Sequence, residues 1–103
     1  MIGWDFHPEA FADLDEIWEF VSADSVDAAD HLIAEIFTRI RGLVSLPNQG
    51  HRRPDLTSRP IRFIVVHDYL IAYAPDEKPL WIIAVIHGRR DPRVMAAILR
   101  SRD

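Results

Sequence analysis

Apolar and polar positions alternate in different periods along this chain, and the changes of period mark its elements. Ile2, Trp4 and Phe6 alternate with polar neighbours and predict a short strand over 2–6. His7-Pro8-Glu9 follows, with proline suited to a first helical position and an acid in the opening turn, so a helix starts there. Phe11, Leu14, Ile17 or Trp18, and Val21 recur at three-to-four spacing, which leaves Asp13, Asp15, Glu16 and Glu19 facing mostly outward. The pattern breaks over Ser22–Ser25, and Asp24 or Ser25 is placed to cap a second helix. Its stripe is Ala29, Leu32, Ile33, Ile36, Ile40, Leu43 and Val44, and it ends before Pro47. Two amphipathic helices with so short a joint make a helical hairpin.

Residues 47–60 are rich in proline, glycine, asparagine and arginine and read as a loop. Three strands are then predicted, over 61–66, 69–74 and 80–86. His67-Asp68 forms the tight turn between the first two, and Pro75–Pro79 the longer one before the third. Asp91-Pro92 reads as a cap and first-turn proline for a closing helix over 92–100, beyond which Arg100-Ser101-Arg102-Asp103 is expected to fray. The third strand is apolar on both faces, Leu80, Ile82, Ala84 and Ile86 alternating with Trp81, Ile83 and Val85. The hairpin covers one face only. The other needs the closing helix, a second copy or a partner, and a partner-covered face is the expectation with functional content.

At 103 residues the chain is expected to fold as one domain, 1–103, large enough for a core without staples. With no cysteine there is no disulfide framework and no thiol nucleophile. No basic leader precedes an apolar run at the N-terminus, and nowhere do eighteen apolar residues follow one another, so a soluble, cytoplasmic protein is expected. The net charge of −4 conceals a division: residues 1–35 carry −10 and residues 36–103 carry +6. Eleven of the twelve cations are arginines, the residue suited to forked contacts with carboxylate or phosphate. Acidic helices neutralising a basic sheet explain such a division without any partner.

The densest chemistry lies in Ile86-His87-Gly88-Arg89-Arg90-Asp91-Pro92. Gly88 is expected to supply a φ that other residues resist. Two adjacent guanidiniums at a strand-to-helix corner suit the capture of an anion or an acidic partner, unless Asp91 and nearby acids pair with them. Arg52, Arg53 and Asp55 form a second charged group, read as a solvated loop or an electrostatic contact. Tyr69 and Tyr73 fall on one face of one strand, and Trp4, Trp18 and Trp81 are read as core aromatics, with Trp81 open to an alternative role as a partner anchor. The five histidines show no metal spacing, so no metal or other cofactor is expected. A nucleophile elbow and phosphate or dinucleotide glycine motifs are missing, and no helix concentrates basic residues as a DNA reader would.

Taken in order, His7-Pro8-Glu9-Ala10, Leu46-Pro47-x-x-Gly50-x-Arg52-x-Pro54-Asp55-Leu56, the meander with Tyr69 and Tyr73, and Ile86-His87-Gly88-Arg89-Arg90-Asp91 resemble the RelE/ParE toxin superfamily over residues 1–100. The His-Gly-Arg-Arg-Asp corner is most similar to the ParE-like branch. That resemblance implies an α+β fold: an N-terminal strand and helical hairpin packed on an antiparallel meander, with a short C-terminal helix. It implies a toxin of a type II toxin–antitoxin pair, of the kind also called plasmid stabilisation proteins, which inhibits growth by binding DNA gyrase and is neutralised by a ParD-like antitoxin. Target binding then falls to His87, Arg89, Arg90 and Arg93, and antitoxin binding to Arg62, Tyr69, Tyr73 and Trp81. The rival is the RelE-like branch, ribosome-dependent mRNA endoribonucleases. Arg90 matches their post-strand arginine, but Leu70 replaces an arginine, Ala96 stands near a tyrosine position, and Ile61 and Phe63 stand where lysines are expected. Cleavage of RNA needs a base for the 2′-hydroxyl as well as charge for the transition state. This chain supplies the charge more readily than the base, so a non-catalytic poison is the expectation.

Overall fold

A computed structural model describes residues 3–103. The elements run β1 (Trp4–Phe6), α1 (Pro8–Ser22), α2 (Val26–Ser45), a 3₁₀ turn (Pro47–Gln49), β2 (His51–Arg52), β3 (Arg62–Val66), β4 (Tyr69–Ala74), β5 (Leu80–His87) and α3 (Pro92–Ser101). Ile2 lies outside the described residues. The five strands form one mixed sheet in the order β1-β5-β4-β3-β2. β1 pairs in parallel with β5, and every other pairing is antiparallel. This is the α+β arrangement of a RelE/ParE-like fold.

Local chemistry sets the element ends. The His7 ring accepts the Glu9 N–H at 3.1 Å and Pro8 occupies the first turn of α1. Ser25 Oγ accepts the Ala28 N–H at 3.1 Å to cap α2. His67 takes the left-handed conformation, φ 53°, that the tight β3–β4 turn requires. The hairpin α1–α2 packs Leu14, Ile17, Ile36, Ile40 and Leu43 onto one face of the sheet, against Ile64, Val66, Ile71 and Val85.

Several expectations change. The inward stripe of α1 is Ala10, Asp13, Leu14, Ile17 and Val21, so Phe11 is exposed and Asp13, placed outward by its charge, turns inward. Trp18 is a surface residue whose indole N–H donates to Asp30 Oδ1 at 2.9 Å, and Val44 is likewise exposed. The 47–60 loop contains the 3₁₀ turn and β2, because His51 and Arg52 find partners in Phe63 and Arg62. The second sheet face is covered from within the chain. Met95 and Leu99 of α3, with Leu56 and Ile61 from the preceding loop, bury Phe63, Ala72, Ile83, Ala84 and Ile86. No partner is needed there. Arg102 does not fray: it is 8% exposed, the one charged side chain among the buried described residues.

Tyr73 is a structural residue. Fully buried, it donates to Pro47 O at 2.7 Å and accepts the Gly50 N–H at 3.0 Å, fastening the chain after α2 to the sheet. A Cβ on Gly50 would meet that hydroxyl at 2.5 Å, so only glycine passes. Tyr73→Phe leaves the buried Gly50 N–H unsatisfied and is expected to cost about 1–3 kcal/mol, read as a lower urea midpoint with an unchanged slope.

Candidate functional site

β5 carries the geometry from which the site is built. Tyr73 faces Ile82 and Ala72 faces Ala84, so Ile83 is an extra residue in β5, a bulge. A bulge re-aims the backbone beyond it. Before the bulge, β5 turns Leu80 and Ile82 toward β1: the Leu80 N–H reaches Gly3 O at 2.9 Å and the His7 N–H reaches Ile82 O at 2.8 Å. After it, Ile83 and Val85 face the same edge, but β1 has already ended at Phe6. An ion pair takes over. Arg102 Nη1 donates to Ile83 O at 3.1 Å, and Asp13 Oδ2 accepts the Val85 N–H at 3.0 Å. The two side chains grip each other at 2.6 and 3.1 Å, and Glu9 lies 3.9 Å from the Arg102 Nε. Asp13 and Arg102 thus stand in for one residue of a missing strand. The Asp13 contact raises the guanidinium pKa above its ordinary value.

The arginine corner follows directly. The Gly88 N–H donates to Asp68 O at 2.7 Å, closing the end of the sheet. Gly88 has no positive φ; a Cβ there would meet Asp68 O at 3.2 Å, so close approach explains it better than an unusual dihedral. His87 Nδ1 accepts the Arg89 N–H at 3.1 Å and its ring meets Tyr69 edge-on at 5.1 Å. Asp91 caps α3 through the Arg93 N–H at 2.8 Å and pairs with the Arg93 guanidinium at 3.1 Å. Those bonds hold its carboxyl below the usual carboxylate range. Asp91 therefore serves Arg93, and the pairing of Asp91 with Arg89 or Arg90 does not form. Both are exposed, and neither has an acid within ion-pair distance among the described residues. Of the lysine and arginine residues described, only Arg102 forms an ion pair with an acid of the helical hairpin, while Arg53 and Arg93 pair locally with Asp55 and Asp91.

Beside the corner lies a groove of about 380 Å³. α1 forms one wall with Asp13, Glu16, Ile17 and Phe20; Ile98 of α3 stands opposite; Tyr69, Val85 and His87 lie along the floor, and Arg90 is at the mouth. Phe20 is 75% exposed, the largest exposure of any large apolar side chain described.

The four expected antitoxin contacts do not form one surface. Tyr69, buried, lies in the groove, where burial raises its hydroxyl pKa. Tyr73 belongs to the core. Arg62 sits on β3, its guanidinium donating to Gly50 O at 2.8 Å. Trp81 packs on the α3 face and donates its indole N–H to Asp103 O at 2.9 Å. His87 and Arg90 share the groove with Tyr69, whereas Arg89 borders a smaller depression with Arg53 and Leu70, and Arg93, paired with Asp91 on α3, lines neither. Sequence reasoning missed Asp13, Phe20, Ile98 and Arg102. Asp13 left a signal, an acid in phase with Ala10, Leu14 and Ile17. Among the described residues, no three metal-ligating side chains gather and no helix is long and apolar enough to cross a membrane. Free guanidiniums, a strand edge and an apolar wall equip the region for binding a macromolecule.

A search of curated proteins finds no match. A family model described as the ParE toxin of type II toxin–antitoxin system, parDE, matches residues 5–92, from β1 through the arginine corner to the first residue of α3. With most of the chain so matched, and with the strand, hairpin, meander and corner in the expected order, the protein belongs to the ParE toxin family of type II toxin–antitoxin systems.

Proposed function

We propose that this chain is a cytoplasmic growth inhibitor of one domain that acts by binding DNA gyrase and is held inactive by a ParD-like antitoxin. The observation that carries the reading is the unneutralised pair Arg89 and Arg90 on an ordered corner, in a chain whose family implies a cognate antitoxin. Exposed guanidiniums without an acid partner stay available to carboxylate or phosphate at every physiological pH. His87 positions the Arg89 backbone, and Arg93, though paired with Asp91, stays exposed beside the corner at the start of α3.

Binding rather than catalysis suits the remaining positions. Ile61 and Phe63 are core residues, Leu70 packs against the α3-side core, and Ala96 offers no proton-transfer group. An antitoxin that wraps the toxin would meet Tyr69 in the groove and Arg62 and Trp81 on opposite faces, while Tyr73 serves the fold. Inducing the chain in a bacterial host is expected to arrest growth, and co-inducing the antitoxin encoded beside it to restore growth. Harmless expression of folded protein would contradict the reading.

A further inference from the structure

At the opposite edge of the sheet, β2 and β3 set two arginines face to face. Arg52 and Arg62 are cross-strand partners, the arrangement in which like charges destabilise a sheet. Neither has an acid within ion-pair distance among the described residues, nor has Arg39 of α2. The chain carries sixteen acids to twelve lysines and arginines, so the lack of partners is no scarcity of carboxylates. Glu35, the acid one turn before Arg39, contacts the His67 ring at 2.8 Å, and Asp55 serves Arg53. Arg52 is exposed and its side chain has no hydrogen-bond partner among the described residues; Arg62 spends one nitrogen on Gly50 O and Asn48 O. Most of the donors on these forks stay free.

Arg39 extends the row. Val66 faces Tyr69 across a two-residue turn, so Val65 directs its backbone groups away from β4, to the bare edge above the short β2. Arg39 Nη1 donates to Val65 O at 3.3 Å, while the Val65 N–H has no partner among the described residues. Arg62 and Val65 are three residues apart on β3, about 10 Å along the strand, which matches about three nucleotides of rise on one DNA strand. The edge also joins the corner: Val65 lines a depression with Arg53 and Arg89, on whose rim Asp68 is the one acid.

We infer that this edge, through Arg39, Arg52 and Arg62, binds the phosphate backbone of duplex DNA without reading its sequence. Guanidinium forks match phosphate oxygens, and the free Val65 N–H adds a backbone donor of the kind phosphates accept. An acidic protein surface would call for apolar anchors amid the arginines, but their exposed neighbours are Asn48, Gln49 and His51. A single strand would call for aromatic platforms, and the exposed aromatics Phe11, Trp18 and Phe20 all stand on α1. Arg39 holds the Val65 carbonyl, which closes the edge to an added β-strand. The acidic first half of the chain repels phosphate and so orients the duplex toward this side. The inference holds whatever protein the chain targets.

Fluorescence anisotropy of a labelled DNA duplex titrated with the purified chain, between about 50 and 200 mM salt, tests it. Binding is expected with a dissociation constant of about 10⁻⁴ to 10⁻⁶ M, its logarithm following that of salt with a slope of about 3 in magnitude. Arg39→Ala with Arg52→Ala should weaken binding about tenfold or more and cut that slope to about 1. Both side chains are exposed, and the melting temperature of the variant checks that the fold is kept. Arg62 stays in place because its bond to Gly50 O serves the fold. Arg41, two residues from Arg39 and so on the opposite flank of α2, is the control: Arg41→Ala removes the same charge and should leave the slope unchanged. No binding at low salt, or an equal loss with Arg41→Ala, overturns the edge assignment. Tighter binding of a single strand overturns it in favour of unpaired nucleic acid. Equal binding of polyglutamate with the same dependence on Arg39 and Arg52 overturns it in favour of an acidic protein. Gyrase is absent from the assay, so each of these outcomes leaves the gyrase reading standing.

Discussion

Arg102→Ala is expected to destabilise the fold by about 3–5 kcal/mol, the range found when one member of a buried ion pair is removed. The guanidinium is 9% exposed, binds both oxygens of Asp13 and satisfies Ile83 O, so its loss strands a carboxylate and a strand carbonyl together. For a domain of this size the melting temperature should fall by more than about 12 °C. Asp13→Ala should act similarly, because it also frees the Val85 N–H. Since the two side chains form one unit, the double substitution should cost clearly less than the sum of the singles. The raised guanidinium pKa sets the pH dependence: its stabilisation is complete below the unfolded pKa of arginine and fades only as pH rises through the still higher folded value. Loss of this charge therefore plays no part in unfolding below about pH 12. Thermal denaturation of the three variants checks the account, and a shift under about 1 kcal/mol for Arg102→Ala would mean that the tail does not complete the sheet.

The opposite behaviour is expected at the corner. Arg89→Ala with Arg90→Ala should leave stability within about 0.5 kcal/mol, since neither side chain is buried or ion-paired. The same double variant should lose growth inhibition. An arginine that anchors an interface commonly contributes about 2 kcal/mol or more, so target affinity should drop by at least about 30-fold even if only one of the two is such an anchor. The assay belongs in cells without antitoxin, because Arg90 also stands at the groove mouth. A stable double variant that remains fully toxic would remove the corner from target binding.

Much of the fold was legible because its signals are local. Pro8 after His7, Ser25 before Val26, His67-Asp68 between two β-rich runs and Asp91-Pro92 before α3 each act within a few residues, and each marks an observed boundary. The candidate site was legible only in its local part, the arginine corner. Its other half depends on residues 89 positions apart: Asp13 and Arg102 meet because a bulge at Ile83 turns the strand edge toward them after β1 has ended. No periodicity carries that information. Charge alone placed Asp13 outside, and position alone placed Arg102 in a frayed tail. The doubly apolar β5 was read correctly as buried on both faces, but α3 supplies the second cover. Phe20 interrupts an acidic helix face, and a sequence reading cannot tell an exposed anchor from a core residue out of phase.

Supercoiling by purified DNA gyrase, with the purified chain titrated in and the antitoxin added back, tests the central claim most directly. The account predicts loss of supercoiling or accumulation of cleaved DNA, reversed by antitoxin and absent with the Arg89→Ala, Arg90→Ala variant. Undisturbed supercoiling by a chain that still arrests growth would contradict it and direct the search to the ribosome and its mRNA.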